Sequence, residues 1–184
     1  MHTEIEVKAR LRADQKNSLT GYFSNLFNAA KSEYKCDAYF KEPSGELYRL
    51  RKQNNEYIYT KKNNSLSDGV EVNSEDERIL SQSEYDALFK DELLFIKKTK
   101  EGYIWSTKDI YGYDMNIEIV NVKGHSRNKG TRDLGYFIET EIIAPKDASD
   151  HICNNIKAEL LNYYKVLGVF ENIENRKYMA MIEE

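Results

Sequence analysis

The sequence predicts an α+β fold: one antiparallel β-sheet that closes into a barrel, with amphipathic helices packed against its outside. Three observations carry this expectation. Alternating segments dominate the chain and are joined by short turn signals. Three longer stretches follow the 3.6-residue helical stripe, and the charge in several strands is confined to one face. The 184 residues are read as one domain, 1–184, because a chain of roughly 150 residues buries about two-thirds of its unfolded surface.

The first strand, 2–12, shows the pattern most clearly. EIEVKAR puts Glu4, Glu6, Lys8 and Arg10 on one side and Ile5, Val7, Ala9 and Leu11 on the other. A helix over 14–30 follows, with Leu19, Tyr22, Phe23, Leu26, Phe27 and Ala30 on its stripe and Asp14 as N-cap. Strands are then expected over 34–41, 46–52, 56–62 and 69–73. PSGE (43–46) and QNNE (53–56) serve as hairpin turns, and NNSLSDG (63–69) reads as a loop. A second helix spans 83–91 with Ser83 as cap. Strands over 94–100 and 102–108 are separated by the turn signal KEG (100–102), and further strands lie at 113–122 and 134–143. KGHSRNKGTRD (123–133) reads as a solvated hairpin loop. The last helix, 149–167, is capped by Asp147 or Ser149 and stopped by Gly168.

Composition excludes several classes of function. With 27 basic and 31 acidic residues and a net charge of -4, the chain has no overall basic field for nucleic acid or membrane, so neither is expected as a partner. It has no signal-peptide pattern and no apolar run long enough to span a bilayer, which predicts a cytoplasmic protein, monomer or homodimer. Cys36 and Cys153 are isolated, which argues against a zinc site and for reduced, half-buried thiols. His2, His125 and His151 stand apart from the charge clusters and read as surface residues. Trp105 and the 14 tyrosines read mostly as packing.

The one-sided charge recurs. LYRLRKQ sets Arg49 and Arg51 on one face with Leu50 opposite, YIYTKK places Lys61 near a strand end, and IKKTKEGY spaces Lys98 and Lys100 two apart. YFIETEII does the same for Glu139 and Glu141, with Ile138, Thr140 and Ile142 opposite. A polar face is ordinary for a sheet exposed on one side. Same-sign pairs at spacing two are unfavourable on such a surface, however, and tolerable where they face a counter-charge. A barrel whose charged faces point inward supplies that counter-charge and leaves the apolar faces for the helices. Carboxylates opposite ammonium and guanidinium groups suit a polyphosphate with its divalent metal. Glutamate oxygens are hard ligands for Mg2+ or Mn2+, and Arg and Lys take phosphate oxygens.

These segments resemble the CYTH, or triphosphate tunnel metalloenzyme, family over nearly the whole chain, and its class IV adenylyl cyclase branch most closely. Glu4, Glu6 and Lys8 match the N-terminal Glu-x-Glu-x-Lys hallmark. CDAYF (36–40), GELYRLRK (45–52), IYTKK (58–62), KKTK (97–100) and LGYFIETE (134–141) resemble its further strands in order. YYKVLGV (163–169) and RKYMAMI (176–182) resemble that branch's close.

The resemblance implies an eight-stranded tunnel barrel. In it Glu4, Glu6, Glu139 and Glu141 hold Mg2+ or Mn2+, and Lys8, Arg49, Arg51, Lys61, Lys98 and Lys100 grip a triphosphate. Glu4, Glu6, Lys8, Glu139 and Glu141 form the catalytic set, with Glu71 and Arg10 as further candidates. The substrate is then ATP, inorganic triphosphate or thiamine triphosphate. Attack on the α-phosphate by the ribose hydroxyl gives cyclic AMP and pyrophosphate. Attack by water on the terminal phosphate makes a triphosphatase, and a polyphosphate-binding module without turnover is the third reading.

Three departures from the family pattern stand out. Lys100 replaces the usual Arg and so loses its bidentate fork. Val120 occupies a position that is acidic in the family, leaving Glu118, Asn121 or Asp133 to substitute. About ten inserted residues, carrying Lys123, His125, Arg127, Lys129 and Arg132, precede Leu134. They could also form a lid or contact another polyanion. The basic residue that usually precedes Glu71 is missing.

Overall fold

The computed structural model describes residues 2–27, 30–67, 70–145 and 148–184, and at positions 2, 62–67 and 71–75 it describes the backbone alone. Among the described residues there are eight β-strands, four α-helices and a 3-10 turn at Phe170–Asn172. The strands are β1 (His2–Leu11), β2 (Lys31–Lys41), β3 (Leu47–Gln53), β4 (Glu56–Ser67), β5 (Val70–Leu80), β6 (Leu94–Lys108), β7 (Asp114–Ser126) and β8 (Gly130–Ala144). The helices are α1 (Ala13–Phe27), α2 (Gln82–Leu88), α3 (Asp150–Val166) and α4 (Tyr178–Glu183). All pairings are antiparallel, in the order β1-β5-β4-β3-β2-β6-β7-β8, and β1 pairs with both β5 and β8.

Several element boundaries differ from the sequence reading, each for a physical reason. The KEG turn does not form. Gly102 lies inside β6, because β2 and β7 pair with that strand on both sides through the glycine. A Cβ there would meet the Ile119 carbonyl at 2.0 Å, so the glycine permits a close backbone approach. The stretch 123–133 is a β-hairpin rather than a long loop: Lys123 pairs with Asp133, Gly124 with Arg132, His125 with Thr131 and Ser126 with Gly130. β4 likewise continues through Ser67, which pairs with Val70, and residues 68 and 69 of the expected loop lie outside the described residues. Residues 28 and 29 of the first predicted helix lie outside them as well.

The caps are local chemistry. α2 is capped by Ser81 rather than Ser83, since Ser81 and Glu84 form a reciprocal capping box. Ser149 caps α3 through the Ile152 amide, and Gly168, at φ 69°, follows its end. Asp14 sits inside the first turn of α1 and bonds to Arg12.

The apolar strand faces do turn outward against helices. Ile5, Val7, Ala9 and Leu11 pack with Leu19 and Phe23 of α1 and with Ile156, Leu160 and Tyr164 of α3. The Tyr164 hydroxyl donates to the Val7 carbonyl at 2.8 Å, tying α3 to β1. Deleting a ring such as that of fully buried Phe23 costs about 3–5 kcal/mol in a core of this kind. A second cluster, Phe40, Tyr48, Leu50 and Leu80, is covered by Tyr85, Leu88 and Phe89 from α2 and the residue after it.

A third cluster lies on the opposite face. Val120, Val122 and Phe137, which share their strand faces with Glu118 and Glu139, pack with Tyr178 and Met181 of α4. α4 therefore seats on one end of the charged face. Gly124 lets it do so, because a Cβ there would overlap the Ile182 side chain at 2.3 Å. No helix among the described residues is long and apolar enough to cross a membrane.

Candidate functional site

Inside the eight strands lies a cavity of about 380 Å³. Its wall follows from strand periodicity. β1 contributes Glu4, Glu6 and Lys8, β3 Arg49 and Arg51, β6 Lys98 and Lys100, and β8 Glu139 and Glu141. All nine were expected at the site from the sequence, and the fold brings them together from four strands.

Three other expected residues fare differently. Lys61 does not reach the cavity. Among the side chains described on β4 the lining ones are Ile58 and Thr60, so Lys61 falls on the other face, where it bonds to exposed Glu46 at 2.9 Å. Arg10 lies beyond the cavity beneath α4, where it donates to Glu174, to Met181 Sδ and to the Leu134 carbonyl. It fastens the C-terminal segment. Glu71 pairs with Glu6 through the backbone, and its side chain lies outside the described residues.

β2 supplies what the sequence reading missed. Glu33 and Lys35 line the cavity beside Tyr39, and fully buried Asp37 shares their face. Their signal was present: EYKCDAYF alternates in the same way as EIEVKAR, with Glu33, Lys35, Asp37 and Tyr39 on one side. Asn116, Glu118, Glu77, Gln53 and Tyr178 complete the polar wall. Of the three candidates for the acid missing at Val120, Glu118 is the one in the cavity. Val120 instead belongs to the apolar seat of α4, which explains why no acid stands there. Asp133 is exposed near Lys123, and Asn121 does not line the cavity.

The charges are paired across strands. Asp37 accepts from Arg51 Nε at 2.7 Å and Lys98 Nζ at 3.0 Å. Burial alone would raise its carboxyl, but Arg51, Lys98 and Arg49 outweigh that and hold it well below the usual range. Lys35 Nζ reaches Glu118 at 2.5 Å and Glu33 at 3.0 Å. Lys100 Nζ bridges Glu118, at 3.2 Å, and Glu139. Burial opposes the charge on both Glu118 and Lys100. Even so, the two lysines lower Glu118, and Glu118 with Glu139 raises Lys100 well above its ordinary value. Arg49 bonds to Thr60 and Glu77.

Glu141 is the exception among the acids. Burial, reinforced by the nearby Glu118 carboxylate, pushes its carboxyl up, while Asn116 donates to one of its oxygens at 2.9 Å.

Tyr178 enters from α4. Its ring faces the ammonium groups of Lys8, Lys98 and Lys100 at 5.6, 5.0 and 5.6 Å, and its hydroxyl donates to Glu139. Burial and Glu139 push that hydroxyl up, so it remains a donor. The other cavity tyrosines are engaged too: Tyr39 lies under Lys98, and Tyr48 stacks on Phe40.

The donor chemistry fits a hard divalent cation, since the acids are glutamates. Their arrangement does not yet form a site: among the described residues no three carboxylate, histidine or cysteine side chains gather to hold a metal. The carboxylates of Glu118 and Glu139 are bonded to lysine ammonium groups instead.

No family model and no curated protein matches the chain. Solved structures do share its fold. A conserved hypothetical protein from Pyrococcus furiosus is 21% identical, with 97% of this chain and 99% of that one covered at a TM-score of 0.65. A candidate adenylate cyclase from Vibrio parahaemolyticus is 11% identical over 98% of both chains at 0.64. A protein from Hippeastrum, named for adenylyl cyclase and for a dominant triphosphatase activity, is 15% identical over 100% of this chain and 95% of that one at 0.56. The chain thus has the fold that its resemblance to the CYTH family implies, shared with proteins named for cyclase and for triphosphatase chemistry.

Proposed function

We propose that the chain is a CYTH-type, metal-dependent enzyme that processes a triphosphate inside a tunnel formed by its eight strands. One observation carries this reading: seven lining acids and seven lining bases interleave around one cavity. A triphosphate carries the negative charge to engage the bases, and a divalent cation carries the positive charge to engage the acids. Neither ligand alone satisfies both sets.

The chain's own residues have distinct roles in such a reaction. Lys8, Lys98 and Lys100, already gathered around one tyrosine ring, neutralise phosphate oxygens and the leaving phosphate. Arg51 keeps Nε and one Nη on Asp37 and has its remaining N–H groups for phosphate. Glu4, Glu6, Glu118, Glu139 and Glu141 are the carboxylates that would hold Mg2+ or Mn2+, which when bound polarises the phosphoryl group.

A specific observation favours hydrolysis over cyclisation. Charged groups dominate the wall, and the lining tyrosines Tyr39, Tyr48 and Tyr178 each already have a ring face on one of the protein's own side chains, which favours a substrate that needs no aromatic face for a nucleobase. A triphosphatase acting on inorganic triphosphate, or on the terminal phosphate of thiamine triphosphate or ATP, needs no such face. A class IV adenylyl cyclase-like reaction is the second reading.

Incubating the protein with each substrate, with and without Mg2+ or Mn2+, and resolving the products decides between them. Orthophosphate from inorganic triphosphate is the expected product. Cyclic AMP with pyrophosphate from ATP would assign the cyclase reaction, and no turnover of any substrate with either metal would remove the enzyme.

A further inference from the structure

We propose that the Lys100 ammonium is a tethered placeholder for the divalent cation. It occupies the position between Glu118 and Glu139 in the substrate-free site, and the cation site forms only once a triphosphate draws that lysine away. This rests on the triphosphate reading above.

Four features of the geometry support it. First, Lys100 Nζ lies between two carboxylates from different strands, Glu118 on β7 and Glu139 on β8, with its side chain 8% exposed. With Lys35 and its second partner Glu33 counted in, three carboxylates against two ammonium groups leave one negative charge over, and a divalent cation in place of Lys100 leaves none. Second, no ready-made group of three metal-binding side chains exists among the described residues, so something must change before a cation is held by several of them.

Third, both carboxylates have a second anchor that does not depend on Lys100. Lys35 holds Glu118 at 2.5 Å, and the Tyr178 hydroxyl holds Glu139. They therefore stay near their places if the lysine leaves. Fourth, the lysine has somewhere to go. Lys8 and Lys98 flank the same Tyr178 ring as Lys100, and three ammonium groups around one ring form a ready anion site. Turning the flexible four-carbon stem toward a phosphate there exchanges one counter-anion for another without baring the charge.

The consequence is positive coupling: the triphosphate opens the cation site, and the cation in turn tightens triphosphate binding by the same factor. Lys100 is then a positioning residue for the metal as well as a phosphate ligand.

The test follows the signal of free Mn2+ by electron paramagnetic resonance with wild-type protein alone, with tripolyphosphate alone, and with both. The expected result is little Mn2+ retained by protein alone and more retained by the mixture than by its two parts summed. Lys100→Met is expected to bind Mn2+ without triphosphate at least about tenfold more tightly than wild type. Lys97→Met, an exposed neighbour on β6, leaves Mn2+ affinity unchanged.

Stoichiometric Mn2+ uptake by wild type alone, or additive uptake in the mixture, overturns the proposal. So does a folded Lys100→Met protein with no gain. Should that variant fail to fold, the wild-type mixture decides. Calorimetry with tripolyphosphate and a chelator separates the two readings: no heat of binding removes the triphosphate site and the placeholder together, whereas binding with additive Mn2+ uptake removes only the placeholder.

Discussion

The same chemistry, an ammonium or guanidinium beside a carboxylate, occurs in two settings in this molecule with different consequences. In the cavity, Asp37 is fully buried between Arg51 and Lys98, and Glu118 lies between Lys35 and Lys100. On the outer surface Lys61 meets Glu46, and Lys108 meets Asp114, at comparable distances of 2.9 and 2.6 Å but with side chains roughly half exposed or more. Water and salt screen the outer pairs, which contribute little. The inner pairs are largely buried, at 14% side-chain exposure or less, so each group depends more on its partner. Distance alone therefore says little about what an ion pair does; its surroundings determine whether it is structural, functional or incidental.

The largest expected effect is at the centre of the buried set. Asp37→Ala leaves Arg51 and Lys98 without their shared carboxylate, and should cost about 3–5 kcal/mol in denaturant unfolding. A loss below about 1 kcal/mol would show that water screens the cavity as it does the surface. Added tripolyphosphate should restore more of the stability of Asp37→Ala than of wild type, because it replaces the missing anion.

Lys98→Met tests the catalytic side of the comparison. If the ammonium neutralises charge that develops on the phosphate, kcat/KM should fall by roughly a hundredfold to a thousandfold. An unchanged value would reduce Lys98 to a partner of Asp37.

An intermediate case lies beneath α4. Glu174 accepts from Arg176 and Arg10, which, led by Arg176, hold its carboxyl down to about 2. A carboxylate with a depressed folded value stabilises the fold above its ordinary 4.5, and that contribution fades as pH falls through about 2. Glu174→Gln should therefore cost about 1–2 kcal/mol at neutral pH. The gap from wild type should close on acidification, and a gap that stays constant with pH would mean packing, not charge, is responsible. The smallest effect belongs to Lys61→Ala, which should leave turnover and the unfolding midpoint unchanged. A tenfold fall in turnover would return Lys61 to the site.

Lys61 also shows where reading by sequence reached its limit. In IYTKK the motif ends on two lysines, and only strand parity, set by Thr60 facing Arg49 and Glu77, decides that Lys61 points away. Glu4, Glu6, Lys8, Glu139 and Glu141 were legible because their alternation is unbroken and their apolar partners are strongly β-forming. Glu33 and Lys35 alternate just as well, but the strand expected over 34–41 starts after Glu33, whereas β2 begins at Lys31, so the alternation that includes both went unread. KEG and the stretch 123–133 read as turn and loop because Gly and Lys are frequent there, whereas pairing to both neighbours kept them in strands. Tyr178 lies in the segment RKYMAMI, which resembles the family's close, but nothing in it pointed to the cavity: a six-residue helix 39 positions from Glu139 meets it only after the chain has folded.

Period-two alternation with charge on one face thus determined the antiparallel sheet, its apolar exterior and most of the residues that face inward, since side-chain direction in a strand is local geometry. Only the tertiary structure decided which acid meets which base, that Glu118 lines the cavity while Val120 seats α4, and that Lys100 lies between two carboxylates. Those facts depend on register between strands distant in sequence and on burial, which sets the strength of every charge in the cavity.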